Sequence, residues 1–193
     1  MAITKATNAG FASNKYNNVS ADNYYMEPIA KTLVGVGGAS SITFSNIPQN
    51  YKHLQVRCLG RTTGAVDNDV ALLTFNSDTG TNYSAHDLRG NGGVVAAGGY
   101  PSQTSMYLQR FAGGNQTSGM FGVVVADILD YANTSKYKTL RDIGGYDFNG
   151  TGNAYLASGL WMNTNAITSM SMTPAQGGVW AQYTRFALYG IRG

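Results

Sequence analysis

The sequence predicts an all-β protein, an antiparallel β-sandwich or jelly roll with an extended N-terminal arm, and three observations carry that expectation. Short runs of period-two apolar alternation recur from Ile29 onward. Clusters of Gly, Asn, Asp, Ser and Pro separate them at the spacing of sandwich and jelly-roll strands. The chain also closes on a strand, TRFALYGIRG, in which Phe186 and Leu188 share one face while Ala187, Tyr189 and Ile191 share the other.

Residues 1–23 are small and polar, with isolated apolar side chains at Ile3, Phe11, Tyr16 and Val19 and no sustained period. They read as an assembly arm, so the expected organisation is an arm over 1–27 and one sandwich domain over 28–193. The first strands are expected at 29–36, 41–46 and 53–60. The last two flank the turn Asn46-Ile47-Pro48-Gln49-Asn50, whose composition breaks the alternation. Further strands are expected at 70–76, 83–88, 105–111, 120–128, 136–143, 154–162, 166–173 and 179–192. Between them, residues 90–101, 113–119 and 144–152 are rich in Gly and Asn, which tolerate positive φ, and read as loops projecting from the sandwich ends. The run DILDYAN at 127–133 is long enough only for a helical turn. Val70-Ala71-Leu72-Leu73 and Val123-Val124-Val125 are apolar on both faces, which places their strands in the middle of a two-layer structure or at a subunit contact.

Composition narrows the function. Charged residues make up 12% of the chain, about half the usual share, while Gly numbers 25 and Tyr 13. A surface of Asn, Ser, Thr, Gln and Tyr suits faces that meet protein or sugar, because few charges must shed water when such faces pair. A net charge of +3 with dispersed Lys and Arg argues against nucleic acid. The single Cys58 excludes an intrachain disulfide and alternates with Leu54 and Val56 as a small core residue. The N-terminus has no apolar signal core, and no run reaches the ~18 apolar residues of a membrane span, so a soluble chain without an export signal or membrane insertion is expected.

Candidate chemistry is sparse. Two histidines, His53 and His86, are too few for a three-histidine zinc site. Ser84, His86 and Asp87 invite a triad, yet neighbours in a strand point to opposite faces. Asp67, Asn68, Asp69 and Asp78 are oxygen-rich but lack the ligand order of a calcium loop and read as polar turns. Asp127 and Asp130 have no opposed acid in an aromatic cleft. No catalytic, metal or cofactor residues are therefore assigned. Trp161 and Trp180 read as core or subunit anchors. Tyr100, Tyr146 and Phe148, in Gly-rich segments beside Asn and Asp, are the candidate glycan-contact residues. On the closing strand, Tyr183, Tyr189 and Ile191 form the candidate oligomer face.

Five segments in order, ITFSNIPQNYKHLQVR, LTFNSDTGTNYSAHDLRG, VADILDYANTSKYKTLRDIGG, LASGLWMNTNAITSMSMTP and FALYGIRG, resemble a family of small virion structural proteins of tailed bacteriophages. The resemblance covers roughly residues 28–193. It implies a β-sandwich module of tail fibres, tail knobs or head decorations, without enzymatic activity, found in the virion and made in the host cytoplasm. Together with the strands apolar on both faces it also implies a homo-oligomer, with a trimer favoured, among other capsid or tail proteins; the segment before Pro28 has no counterpart in the resemblance, and attachment through the arm is expected from its widely spaced apolar residues. The alternative within the same biology is a receptor-binding fibre tip; a carbohydrate-binding module recognising host surface glycans is the alternative from another class.

Overall fold

The computed structural model describes residues 25–193, and these form twelve strands in two antiparallel sheets. The strands are β1 (Met26–Leu33), β2 (Ile42–Phe44), β3 (His53–Gly60), β4 (Asn68–Phe75), β5 (Tyr83–Gly90) and β6 (Val95–Gln103), followed by β7 (Met106–Ala112), β8 (Gly122–Leu129), β9 (Lys138–Asp147), β10 (Gly152–Trp161), β11 (Met170–Pro174) and β12 (Arg185–Ile191). One sheet has eight strands in the order β1-β12-β3-β8-β9-β10-β5-β6, and the other has four in the order β2-β11-β4-β7. The fold is thus an all-β sandwich, as its alternation predicts, with one sheet twice as wide as the other. The arm residues Ile3, Phe11, Tyr16 and Val19 lie outside the described residues.

Alternation sets the core. On β3 the side chains of Leu54, Val56 and Cys58 turn inward, meeting Val124, Ala126 and Ile128 of β8 and Phe186 and Leu188 of β12, all buried. The small sheet contributes Ala71, Leu73, Phe75, Met106, Leu108, Met170 and Met172. Both tryptophans are fully buried: Trp161 packs on Phe75 and Tyr83, and Trp180 on Phe111 and Phe186. Each indole N–H has a partner, Asp78 Oδ2 for Trp161 and the Met172 carbonyl for Trp180, so neither leaves a buried donor unmet.

β7 decides how the sheets meet. It approaches β3, β8, β9, β10 and β5, five consecutive strands of the wide sheet, which a strand can do only by crossing them. Its length of about 20 Å matches the width of those five strands, about 19 Å. The crossing is close because glycines lie beneath it. A methyl group at Gly144 on β9 would sit 2.5 Å from the Gln109 carbonyl, and one at Gly122 on β8 would sit 2.7 Å from the Arg110 carbonyl and 2.8 Å from Phe111 Cα. Gly159 on β10 lies under Met106, and Gly60 on β3 under the Phe111 ring. The pairing of β4 with β7 slips at this point, Asp69 facing Phe111 and Ala71 facing Leu108. The resulting bulge turns both Leu108 and Gln109 inward.

Several segments depart from the sequence expectations. Residues 90–101 read as a loop, yet most of them belong to β6, an edge strand paired only with β5. An edge position tolerates Pro101 because no neighbour needs its missing N–H, and Gly98 and Gly99 do not prevent pairing with Asp87 and His86. Likewise 144–152 is mostly strand, the ends of β9 and β10 joined by a tight turn. The final run is shorter than 179–192: β12 begins at Arg185, and Tyr183 sits before it with a φ of 72°. DILDYAN ends β8 and turns at Asp130 without forming a helix.

Replacing Gly122 by Ala places a methyl group against backbone that cannot move aside, and it should destabilise the protein by about 1–3 kcal/mol. Gly35→Ala, where no atom lies within 4 Å, is the control and should be close to neutral. Urea unfolding of both variants measures the difference; equal stabilities would refute the close crossing.

Candidate functional site

Four connections gather at one end of the sandwich: 61–67 between β3 and β4, 91–94 between β5 and β6, 113–121 between β7 and β8, and 148–151 between β9 and β10. Arg61 organises them. Its guanidinium donates to the carbonyls of Gly114 (3.2 Å), Gln116 (2.6 Å), Thr117 (3.0 Å) and Met120 (3.2 Å), pinning the longest of these loops to the end of β3. Asn91 closes its own turn by accepting the N–H groups of Gly93 and Val94, and Asp147 does the same for Asn149.

Between these loops lies a cavity of about 280 Å³. Tyr146 and Phe148 form one wall with their rings stacked 4.4 Å apart, and Asn68, Asn91, Gln116 and Asn153 supply polar groups around them. Asn153 Nδ2 donates to the Tyr146 hydroxyl at 2.7 Å, which fixes that ring's tilt. Aromatic faces next to amides that both donate and accept can take up a sugar, apolar face to ring and hydroxyls to amides. No protein-family model matches the chain, and no curated protein matches it. Among solved structures, the crystal structure of a protein of unknown function from Shewanella oneidensis MR-1 overlaps it at 9% identity, covering 86% of this chain and 75% of that one with a TM-score of 0.20. That overlap is too slight to bear on fold or function.

The third candidate ring stands apart. Tyr100 is on β6, where its hydroxyl donates to Asp87 Oδ2 at 3.0 Å and its ring meets the edge of Tyr107 at 5.5 Å. It lines a cleft of about 360 Å³ on the flank of the sandwich, shared with Asp87, Tyr107, Gln109 and Arg110. Beneath this cleft is a buried acid that sequence reasoning missed. Asp142 on β9 is 0% exposed, and neither of its oxygens completes a hydrogen bond. Asp87 and Asp142 both pair with Ala157, so they face inward two strands apart with only a methyl group between them. Asp87 is paired with Arg89 at 3.1 Å. Burial, with a smaller contribution from the Asp87 charge, raises the Asp142 pKa from 3.8 to about 7, and the nearby backbone N–H of Gln109 offsets only part of that.

The remaining candidates have structural partners. His86 and Ser84 face outward on β5 while Asp87 faces inward, which separates the apparent triad. Asp69 Oδ1 accepts the backbone N–H groups of Val70, Ala175 and Gln176, and Asp78 accepts from Gly80, Asn82, Trp161 and Asn163. Burial works to raise the Asp78 pKa, but the donors from Asn82, Gly80 and Trp161 outweigh it and hold the carboxyl below its ordinary range. Among the described residues no three His, Cys, Asp or Glu side chains gather as a metal site. Asp127 pairs with Arg141 and Gln55, and Asp130 with Lys136 and Lys52. Tyr189 and Ile191 point away from the core as the alternation predicts, and the Arg57 guanidinium lies 5.1 Å from the Tyr189 ring centre; Tyr183 is off that strand.

Asp142 gives the fold a pH dependence whose sign follows from its raised folded pKa. The folded chain keeps this proton where the unfolded chain has lost it, so stability falls as pH rises from about 4 to about 7 and levels off above. The slope from this one group is at most about 1.4 kcal/mol per pH unit. Asp142→Asn removes the ionisation and should flatten that decline, leaving the variant more stable than the parent at pH 8. Urea unfolding at pH 5 and pH 8 tests it, and an unchanged slope in the variant would refute it.

Proposed function

We propose that this chain is a non-enzymatic structural protein of a bacteriophage virion, a capsid decoration or tail-associated component attached through its N-terminal segment. The observation that carries this reading is the outer face of the eight-stranded sheet. There Leu59, Leu88, Val123, Ile143 and Leu156 are 45–63% exposed. Contiguous apolar surface of this kind is characteristic of a protein–protein contact. An assembly subunit has such a face, and with charged residues only 12% of the chain as a whole, few charges must be stripped of water when its surfaces pair. The sequence resemblance points the same way.

The test is occupancy on particles. Deleting residues 1–23 should leave a folded sandwich that no longer binds virions, since the widely spaced Ile3, Phe11 and Tyr16 suit separate pockets on a partner. Truncated protein that still decorates particles at the parent's occupancy would rule out attachment through this segment.

The cavity at the loop end supports a second reading, recognition of host surface glycan by a fibre tip or a carbohydrate-binding module. Phe148→Ala removes half of the stacked wall without touching the core. It should weaken glycan binding about tenfold or more, a loss of at least about 1.4 kcal/mol, with little change in unfolding temperature. Binding to host envelope polysaccharide, measured by calorimetry, should show it; equal affinity in parent and variant would exclude this cavity as the site.

A further inference from the structure

We infer that the outer face of the eight-stranded sheet is where a second copy of this chain docks, back to back, around a two-fold axis lying between β8 and β9. This rests on the assembly reading above and names the partner. The apolar side chains on this face are not scattered. Leu88 of β5 stands opposite Leu156 of β10, Leu156 opposite Ile143 of β9, and Ile143 opposite Val125 of β8. They make one row across four adjacent strands. A second pair, Val123 and Leu59, stands opposite each other one step along β8 and β3.

The size of the face fits a stable contact. Seven gaps between eight strands span about 34 Å and eight residues of strand run about 26 Å, giving about 900 Å². A stable association buries about 800 Å² per partner. The charges next to the row fit an identical copy better than an unrelated surface. Arg141 on β9 and Asp127 on β8 are cross-strand neighbours 3.1 Å apart. A two-fold axis in the contact plane, parallel to the strands and between these two, lays Arg141 of one copy over Asp127 of the other, and Ile143 over Val125. Like charges do not meet: Ile143 and Val125 cover each other at the centre, while Leu156 of one copy lies over Arg57 of the other, which stands in register with Val125, and Leu88 lies over Ala187. Such a contact is isologous and closes on itself as a pair. Tyr189, held by Arg57, sits three strands from Ile143, toward the rim of this contact.

Sedimentation velocity on the full chain at tens of micromolar tests the inference. The parent should sediment as a pair of copies, and Ile143→Arg with Leu156→Arg, which sets like charge against Arg57 of the other copy, should sediment as a monomer. Both positions already face solvent in the isolated chain, so folding should persist; the milder Ile143→Thr with Leu156→Thr, which keeps strand-forming residues, should raise the dissociation constant at least tenfold. A monomeric parent overturns the inference, as does a double variant with the parent's mass. If Tyr189→Asp dissociates the protein while the Ile143 and Leu156 variants do not, the contact is at the closing strand and the inference fails. Loss of hydrogen-exchange protection across β8, β9 and β10 in a monomeric chain lacking residues 1–23 would assign the face to the N-terminal segment and overturn it equally. The virion reading fails separately: a particle map without this chain removes it and leaves the dissociation measurement standing.

Discussion

Because β7 runs across the wide sheet and not along it, the whole sandwich depends on how closely one strand can lie over five others. Backbone can approach backbone there only where no side chain intervenes, and Gly159, Gly144, Gly122 and Gly60 mark its path from β10 through β9 and β8 to β3. Their absent side chains let the two sheets draw together, and the space on either side of β7 is then filled by the large groups, Trp161 with Phe75 at one end and Trp180 with Phe111 and Phe186 at the other. The bulge that follows the crossing turns Gln109 inward above β9, where Asp142 lies. Close packing and the buried acid have the same cause.

A four-stranded sheet spans about half the width of an eight-stranded one, and that mismatch shapes the surface. Toward β5 and β6 the inner face outruns its cover, and the flank is filled by Asp87, Arg89, Tyr100 and Tyr107 in place of aliphatic side chains. The outer face of the same sheet has no covering layer among the described residues, yet it carries Leu and Ile in cross-strand register. Register matters here, because a row of apolar residues across four strands offers continuous area, whereas the same residues placed at random would not.

Much of this was legible in the amino-acid order. The alternation of Leu54, Val56 and Cys58, the turn after Phe44 and the closing strand with Phe186 and Leu188 inward all follow from period two. Trp161 as a core anchor follows from its spacing to Tyr155. What escaped was whatever depends on which strands become neighbours. Gly98, Gly99 and Pro101 signal a loop locally, and only an edge position explains why they are strand. Glycines inside strands can mark close backbone approach, but the approaching strand is set by topology. Asp142 reads as an ordinary polar residue in KTLRDIGG until it is seen beneath β7. Tyr183 matches the period of Tyr189 and Ile191, and the turn before Arg185 takes it off the strand.

The two inward acids bring the question of activity to a physical test that spacing alone does not meet. Asp87 and Asp142 are two strand intervals apart, about 9.6 Å between backbones, close to the separation at which paired carboxylates hydrolyse glycosides with inversion. Their environments also differ, one carboxyl pushed up to about 7 by burial and the other held by Arg89 and Tyr100. An acid catalyst must, however, reach the oxygen it protonates, at roughly 2.6–3.2 Å. Asp142 is sealed beneath β7, and the flanking cleft reaches Asp87 and Gln109 without reaching it. A sugar in that cleft would meet a carboxylate already committed to a guanidinium and a phenol. The pair therefore favours a role within the fold, and the proposed binding rests on the loop-end cavity and the outer sheet face.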